Sequence, residues 1–112
     1  MMLSSTLTNG AQVVTVKASR IDAAVAIRFK EDMRAETDSG PARVILDLSR
    51  VGFIDSSGLG AIVAAMKQLG NDRRLELAGL TPTVDKVFRL TRMDTVFRLH
   101  RTLDDALGDD RD

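Results

Sequence analysis

The sequence predicts an α/β fold in which a mostly parallel sheet of four to five strands carries about four packed helices. Three observations lead there. Short β-branched or apolar runs alternate along the chain with stretches of helical period, which is the order expected of parallel strands joined by crossovers. The run Val44-Ile45-Leu46-Asp47-Leu48 is apolar on both alternating faces, as in a strand covered from two sides. Start and stop residues of helices stand at the ends of the periodic stretches.

The elements follow in order. Val13-Val14-Thr15-Val16 is a short β-branched strand. Val25, Phe29 and Met33 stand four apart and predict a first helix, with Asp22 placed to cap it. Val44–Leu48 is the central strand. Leu59, Ile62, Val63, Met66 and Leu69 trace one face of a second helix, and Gly70 stands where its C-terminal cap belongs. Arg74–Ala78 alternates as a third strand. Thr81-Pro82 reads as a cap followed by proline in the first turn, opening a third helix through Val84, Val87 and Phe88, with Arg89 and Arg92 toward its negative end. Val96-Phe97-Arg98-Leu99 is a fourth, edge-like strand. Thr102 and Asp105 form a capping-box-like pair before Leu103, Ala106 and Leu107. One domain is expected over residues 1–109, followed by a polar tail at 110–112.

Composition bounds the function. The 112 residues are 44% hydrophobic and 29% charged, ordinary for a globular domain able to fold alone. Sixteen basic residues balance sixteen acidic ones, so no overall field draws the chain to nucleic acid or anionic lipid. A protein partner is expected instead. No apolar run approaches the ~20 residues that span a bilayer, and Met1–Gly10 lacks the pattern of an export signal. The expectation is a cytoplasmic protein with no membrane contact. The absence of cysteine excludes disulfides and thiolate metal sites.

In parallel sheets the functional crevice lies beyond the carboxyl ends of the strands. After the central strand, Ser49-Arg50-Val51-Gly52-Phe53-Ile54-Asp55-Ser56-Ser57-Gly58-Leu59-Gly60 runs straight into the second helix. Two hydroxyls, a carboxylate and two glycines thus meet at a helix start, where unpaired N–H groups and the positive dipole end tolerate an anion. A phosphate there would leave the fold intact while adding about −1.5 to −2 charges to an interface.

These residues carry a resemblance. Ile45-Leu46-Asp47-Leu48-Ser49 followed by Phe53–Gly60 resembles the signature of STAS-domain anti-sigma factor antagonists, and Ile21-Asp22 and Leu80-Thr81-Pro82 are similar as well. The resemblance implies the STAS fold and a partner-switching role: the unphosphorylated chain binds an anti-sigma factor that is also a serine kinase, and so frees a sigma factor. Phosphate placed on Ser57 ends the binding until a serine phosphatase removes it. ATP and Mg²⁺ would be held by the kinase, so the chain itself needs no cofactor or metal. It would be a substrate rather than an enzyme, acting as a monomer or weak dimer. Ala18-Ser19-Arg20 departs from the pattern, standing where many relatives have a glycine.

Within this reading Ser57 is the acceptor and Ser56 the helix cap. Asp22, Asp55, Ser56, Ser57, Gly58 and Leu59 form the partner-binding surface. Asp55 orients the Ser57 hydroxyl, contacts the partner, or tightens the turn through its own side chain. Asp47, an acid inside an apolar strand, must find donors and is read as a brace for the site through amides of the next turn. Gly58 and Gly60 suggest close packing, His100 a surface residue, Met66 and Met93 core filler, and Arg89, Arg92, Arg98 and Arg101 a solvated face. No Gly-x-Ser-x-Gly frame supports a serine hydrolase, and Val63 replaces the third glycine of a dinucleotide motif. The same fold also serves accessory subunits of lipid or anion transport complexes, which dock without phosphorylation; this is the competing reading.

Overall fold

The computed structural model describes residues 2–108. The expected polar tail therefore lies outside the described residues. The first two strands, β1 (Leu3–Thr8) and β2 (Ala11–Val16), form an antiparallel hairpin. Its two-residue turn, Asn9-Gly10, has positive φ at both positions (52° and 79°), the turn whose twist suits a tight hairpin. Beyond a short strand β3 (Arg20–Ile21) come helix α1 (Ala26–Glu36) and strand β4 (Arg43–Asp47). A two-residue strand β5 (Phe53–Ile54) precedes helix α2 (Ser56–Leu69), then strand β6 (Arg74–Ala78) and helix α3 (Pro82–Leu90). A 3₁₀ turn, Met93–Thr95, leads to β7 (Leu99–His100) and to α4 (Leu103–Gly108).

The main sheet has the order β1-β2-β4-β6-β7, with every pairing but the first parallel. β3 and β5 pair separately, in parallel, so the loop before α1 runs beside the loop before α2. β4 lies at the centre, and Val44, Ile45 and Leu46 are all fully buried because both faces are covered. On one face Val14, Val16, Leu46 and Leu77 join Phe29 and Met33 of α1, Ile62 of α2 and Phe88 of α3 in the main core. On the other, Ala106 of α4 packs with Ala11, Ile45 and Ala78. Among the described residues no helix is long and apolar enough to cross a membrane.

Several local expectations hold. Gly70 closes α2 at φ 82°, Pro82 opens α3 after Thr81, and Thr102 Oγ1 accepts from the Asp105 N–H at 3.0 Å. Others are corrected. α1 starts after Val25 without a side-chain cap, and Asp22 lies upstream, accepting from the Ala24 N–H at 3.1 Å in a turn of its own. The strand expected at Val96–Leu99 is shifted to Leu99–His100. Arg92 in the left-handed region (φ 63°) starts a 3₁₀ turn, and Phe97 leaves the edge to meet Phe88 ring-to-ring at 6.0 Å.

His100 is likewise not a surface residue. Its side chain is only 7% exposed, and Nε2 lies 2.8 Å from Oε1 of Glu76, a buried carboxylate on β6. Arg43 and Arg74 donate to the same carboxylate at 2.9 and 2.8 Å. Burial raises the pKa of Glu76, but the hydrogen bonds from Arg43, Arg74 and His100 outweigh it and hold the group at about 2. Arg43 also donates to the Ala106 carbonyl at 2.7 Å, tying α4 to the sheet.

Candidate functional site

The candidate site is built where the chain leaves β4 and enters α2. Asp47 closes β4 half-buried rather than buried, and its Oδ1 accepts from the Ser49 N–H at 3.0 Å, an amide of the next turn. Thr81, the backbone cap of α3, donates from Oγ1 to the Val51 carbonyl at 2.8 Å, and the Gly52 N–H donates to the Ser19 carbonyl at 2.8 Å. The turn is thereby held from two sides before it reaches β5.

Asp55 sits just beyond β5 with extended backbone (φ −108°, ψ −175°) and is the N-cap of α2. Oδ1 accepts from the Gly58 N–H at 2.9 Å; Oδ2 accepts from the Ala23 N–H at 3.1 Å. One carboxylate therefore caps α2 and fastens the loop before α1. The Gly58 amide is the leading cause that its pKa is lowered, opposed by desolvation and supported by Ala23. Of the three roles expected for Asp55, the turn-tightening one is the one these bonds describe.

The cap assignment of Ser56 is thus corrected. Ser56 is the first helical residue, exposed, and free of any capping duty. Ser57 follows it, also exposed, and among the described residues neither hydroxyl is held by a side-chain hydrogen bond. The two differ in direction. Gly58, Ala61, Ile62 and Ala65 are the buried residues of α2. At about 100° per residue, Ser56 points almost directly away from that face, along a stripe with Gly60 and Lys67. Ser57 points sideways, in line with Ala64 and Gln68, which with Ile27 and Arg34 of α1 line a groove between the helices.

The paired glycines also separate. Gly58 is buried, and a Cβ there would run into the Ile21 carbonyl and lie 3.0 Å from Ile54 Cγ1. At Gly60 a Cβ would meet nothing within 4 Å, so close packing within the chain does not explain that residue. Leu59 is half-buried against the core. Asp22 is half-buried, its Oδ2 paired with Arg20 Nε at 2.9 Å.

Two neighbours were not anticipated. Phe53, still 41% exposed, lies beside the site with the Arg20 guanidinium 4.8 Å from its ring centroid. Phe29, Phe88 and Phe97 are buried. The departure at Ala18-Ser19-Arg20 thus supplies a cation to the rim. Thirty-three positions separate Arg20 from Phe53, and only the β3–β5 pairing brings them together.

Comparison with known proteins agrees with this architecture. The family model for the STAS domain matches residues 4–106. The putative anti-sigma factor antagonist BtrV of Bordetella bronchiseptica is 33% identical over 78 residues, covering 69% of this chain and 67% of that protein. The anti-sigma-F factor antagonist RsfB of Mycobacterium tuberculosis is 28% identical over 99 residues, 88% of this chain and 80% of the relative. The crystal structure of an anti-sigma factor antagonist from Mycobacterium paratuberculosis superposes with a TM-score of 0.86 at 31% identity, covering 98% of this chain and 93% of its own. Matched from β1 to α4 by one family and sharing its fold throughout, the chain belongs to the STAS-domain family.

Proposed function

We propose that this chain is a cytoplasmic anti-sigma factor antagonist whose docking is switched by phosphate on the Ser56–Ser57 pair. The unphosphorylated chain binds an anti-sigma factor that is also a serine kinase and so releases a sigma factor; a serine phosphatase resets the modified form. The relatives' names support the antagonist role. The observation that carries the switch is two exposed, unengaged hydroxyls at the amide end of α2, where a neighbouring carboxylate already does the capping.

The chemistry needs no catalytic group from this chain. A serine oxygen attacks the γ-phosphorus of ATP, ADP leaves, and the hydroxyl proton goes to a base on the kinase, which also holds ATP and Mg²⁺. Afterwards the phosphate lies at the positive end of the α2 dipole, so the fold tolerates it. For the partner the same group adds about −1.5 to −2 charges beside Asp55 and Asp22, in an interface whose polar groups must be desolvated. Dissociation follows.

Resemblance points to Ser57 as the acceptor; the geometry favours Ser56, whose side chain stands on the outermost stripe of α2. Incubation with the partner kinase and ATP, then peptide mass spectrometry of the wild type and of Ser56→Ala and Ser57→Ala, decides between them. Phosphate on Ser56 alone supports the geometric assignment, and phosphate on Ser57 alone restores the other. Incorporation elsewhere, or equal partner affinity before and after modification, refutes the switch.

A further inference from the structure

The edge strand β1 carries a feature that the serine switch does not use. Met1 to Val16 contains no charged side chain, and every one of the sixteen basic and sixteen acidic residues lies from Lys17 onward. Residues 3–16 of this stretch form the β1–β2 hairpin, and β1 is the outer strand of the five-stranded sheet. Its register with β2 is continuous from Leu3–Val16 to Thr8–Ala11, without a bulge or a proline. Lysines, prolines and bulges are the usual guards of an exposed edge, and here they are missing.

The hydrogen-bond phase says which groups face outward. The Lys17 N–H donates to the Met2 carbonyl at 2.8 Å, so the even-numbered residues of β1 bond to β2. The N–H and C=O of Leu3, Ser5 and Leu7 therefore point away from the sheet. At the same edge Leu7 is 74% exposed, the largest exposure of a large hydrophobic side chain among the described residues.

We propose that β1 pairs antiparallel with β1 of a second copy about a two-fold axis at Ser5. In that register Ser5 faces its own counterpart, and Leu3 faces Leu7 of the second copy. Each facing pair exchanges both N–H···O bonds, and the two sheets become one. The strand is self-complementary because it bears no charge to repel its copy. Pairing covers part of the exposed Leu7 side chain at the strand edge, opposite Leu3, which is held in the core. Glu36, which accepts from Ser5 Oγ at 2.8 Å, brings one carboxylate per copy toward the axis and keeps the association weak. The pairing uses neither serine of the switch.

Sedimentation equilibrium of the full chain up to about 1 mM tests this, together with Leu7→Lys and, as a control of equal exposure on α3, Leu90→Lys. A closed dimer is expected for the wild type and for Leu90→Lys, with association at least about tenfold weaker in Leu7→Lys at unchanged thermal stability. Hydrogen exchange at the Leu3, Ser5 and Leu7 amides should slow with concentration. A monomer throughout, a dimer that survives Leu7→Lys, equal loss in both variants, or open-ended oligomers would overturn the proposal. So would protection of those amides only on addition of an anti-sigma partner, which would assign the edge to that partner's strand.

Discussion

Gly58 and Gly60 stand two positions apart in one motif, and the structure predicts opposite consequences for the same substitution at each. At Gly58 an added methyl overlaps the Ile21 carbonyl and presses on Ile54, both in the β3–β5 pairing that brings the loop before α1 alongside the site. The obstacle is backbone, so it cannot swing aside as a side chain would. Overpacking of this kind costs about 1–3 kcal/mol, against which the helix-propensity gain of alanine returns up to about 1 kcal/mol. Gly58→Ala should therefore lose about 1–2 kcal/mol net, and the Asp55 staple to Ala23 with it. At Gly60 the methyl meets nothing, so the propensity gain is kept in full, about 0.5–1 kcal/mol. For a domain of this size that is a rise in Tm of roughly 2–8 °C. Urea and thermal unfolding followed by circular dichroism measure both. A destabilised Gly60→Ala or a Gly58→Ala as stable as wild type would refute the argument. Because Gly60 shares the outer stripe of α2 with Ser56, Gly60→Ala should also bind the anti-sigma partner more weakly despite its greater stability.

Asp55→Ala removes the α2 cap and the bond to Ala23 together, and should lower the urea unfolding midpoint; Asp55→Asn, which keeps one acceptor oxygen, should lower it less. Glu76 makes stability depend on acid. Its pKa is depressed from 4.5 to about 2 in the folded state, so its contribution is whole above pH 4.5 and is lost as the pH falls toward 2, up to about 3 kcal/mol. Unfolding free energies measured across that range should fall for the wild type and change less for Glu76→Gln, and parallel pH profiles would contradict the assignment.

The parts of the fold that were legible in the sequence are those carried by short-range pattern. Val44–Leu48 announced a two-sided strand, the spacing from Leu59 to Leu69 announced α2, and Gly70 and Pro82 marked helix ends. β1 escaped because its residues are mostly polar, although Asn9-Gly10 between β-capable runs is a hairpin signal. The cap of α2 was displaced by one residue because Asp and Ser suit an N-cap almost equally, and only the Gly58 amide distinguishes them. Arg20 over Phe53, and the bonds of Glu76 to Arg43 and His100, join residues far apart in sequence, and no local period encodes such contacts; only Arg74, two positions from Glu76 on the same strand, is a local partner. The exposure of Gly60 was hidden for the same reason: a glycine in a sequence does not say whether its missing side chain leaves room for its own chain or for another.

That one-residue displacement bears on how the site can work. Had a serine hydroxyl capped α2, esterifying it would have changed the group that accepts from the first-turn amides, and modification would have been coupled to the stability of the helix start. With Asp55 accepting from Gly58 and Ala23, those two bonds need not break when a phosphate arrives one or two residues later. The new charge of the proposed switch would be repelled by the Asp55 carboxylate and attracted by the helix dipole, two opposing terms in its effect on folding. In the proposed switch a docking protein would meet the phosphate on the rim that carries Asp55 and the Arg20–Asp22 pair, without the helix dipole's compensation. In the proposed switch, the division of labour between a carboxylate that holds the turn and hydroxyls that hold nothing would let a covalent charge change alter association while leaving the fold in place.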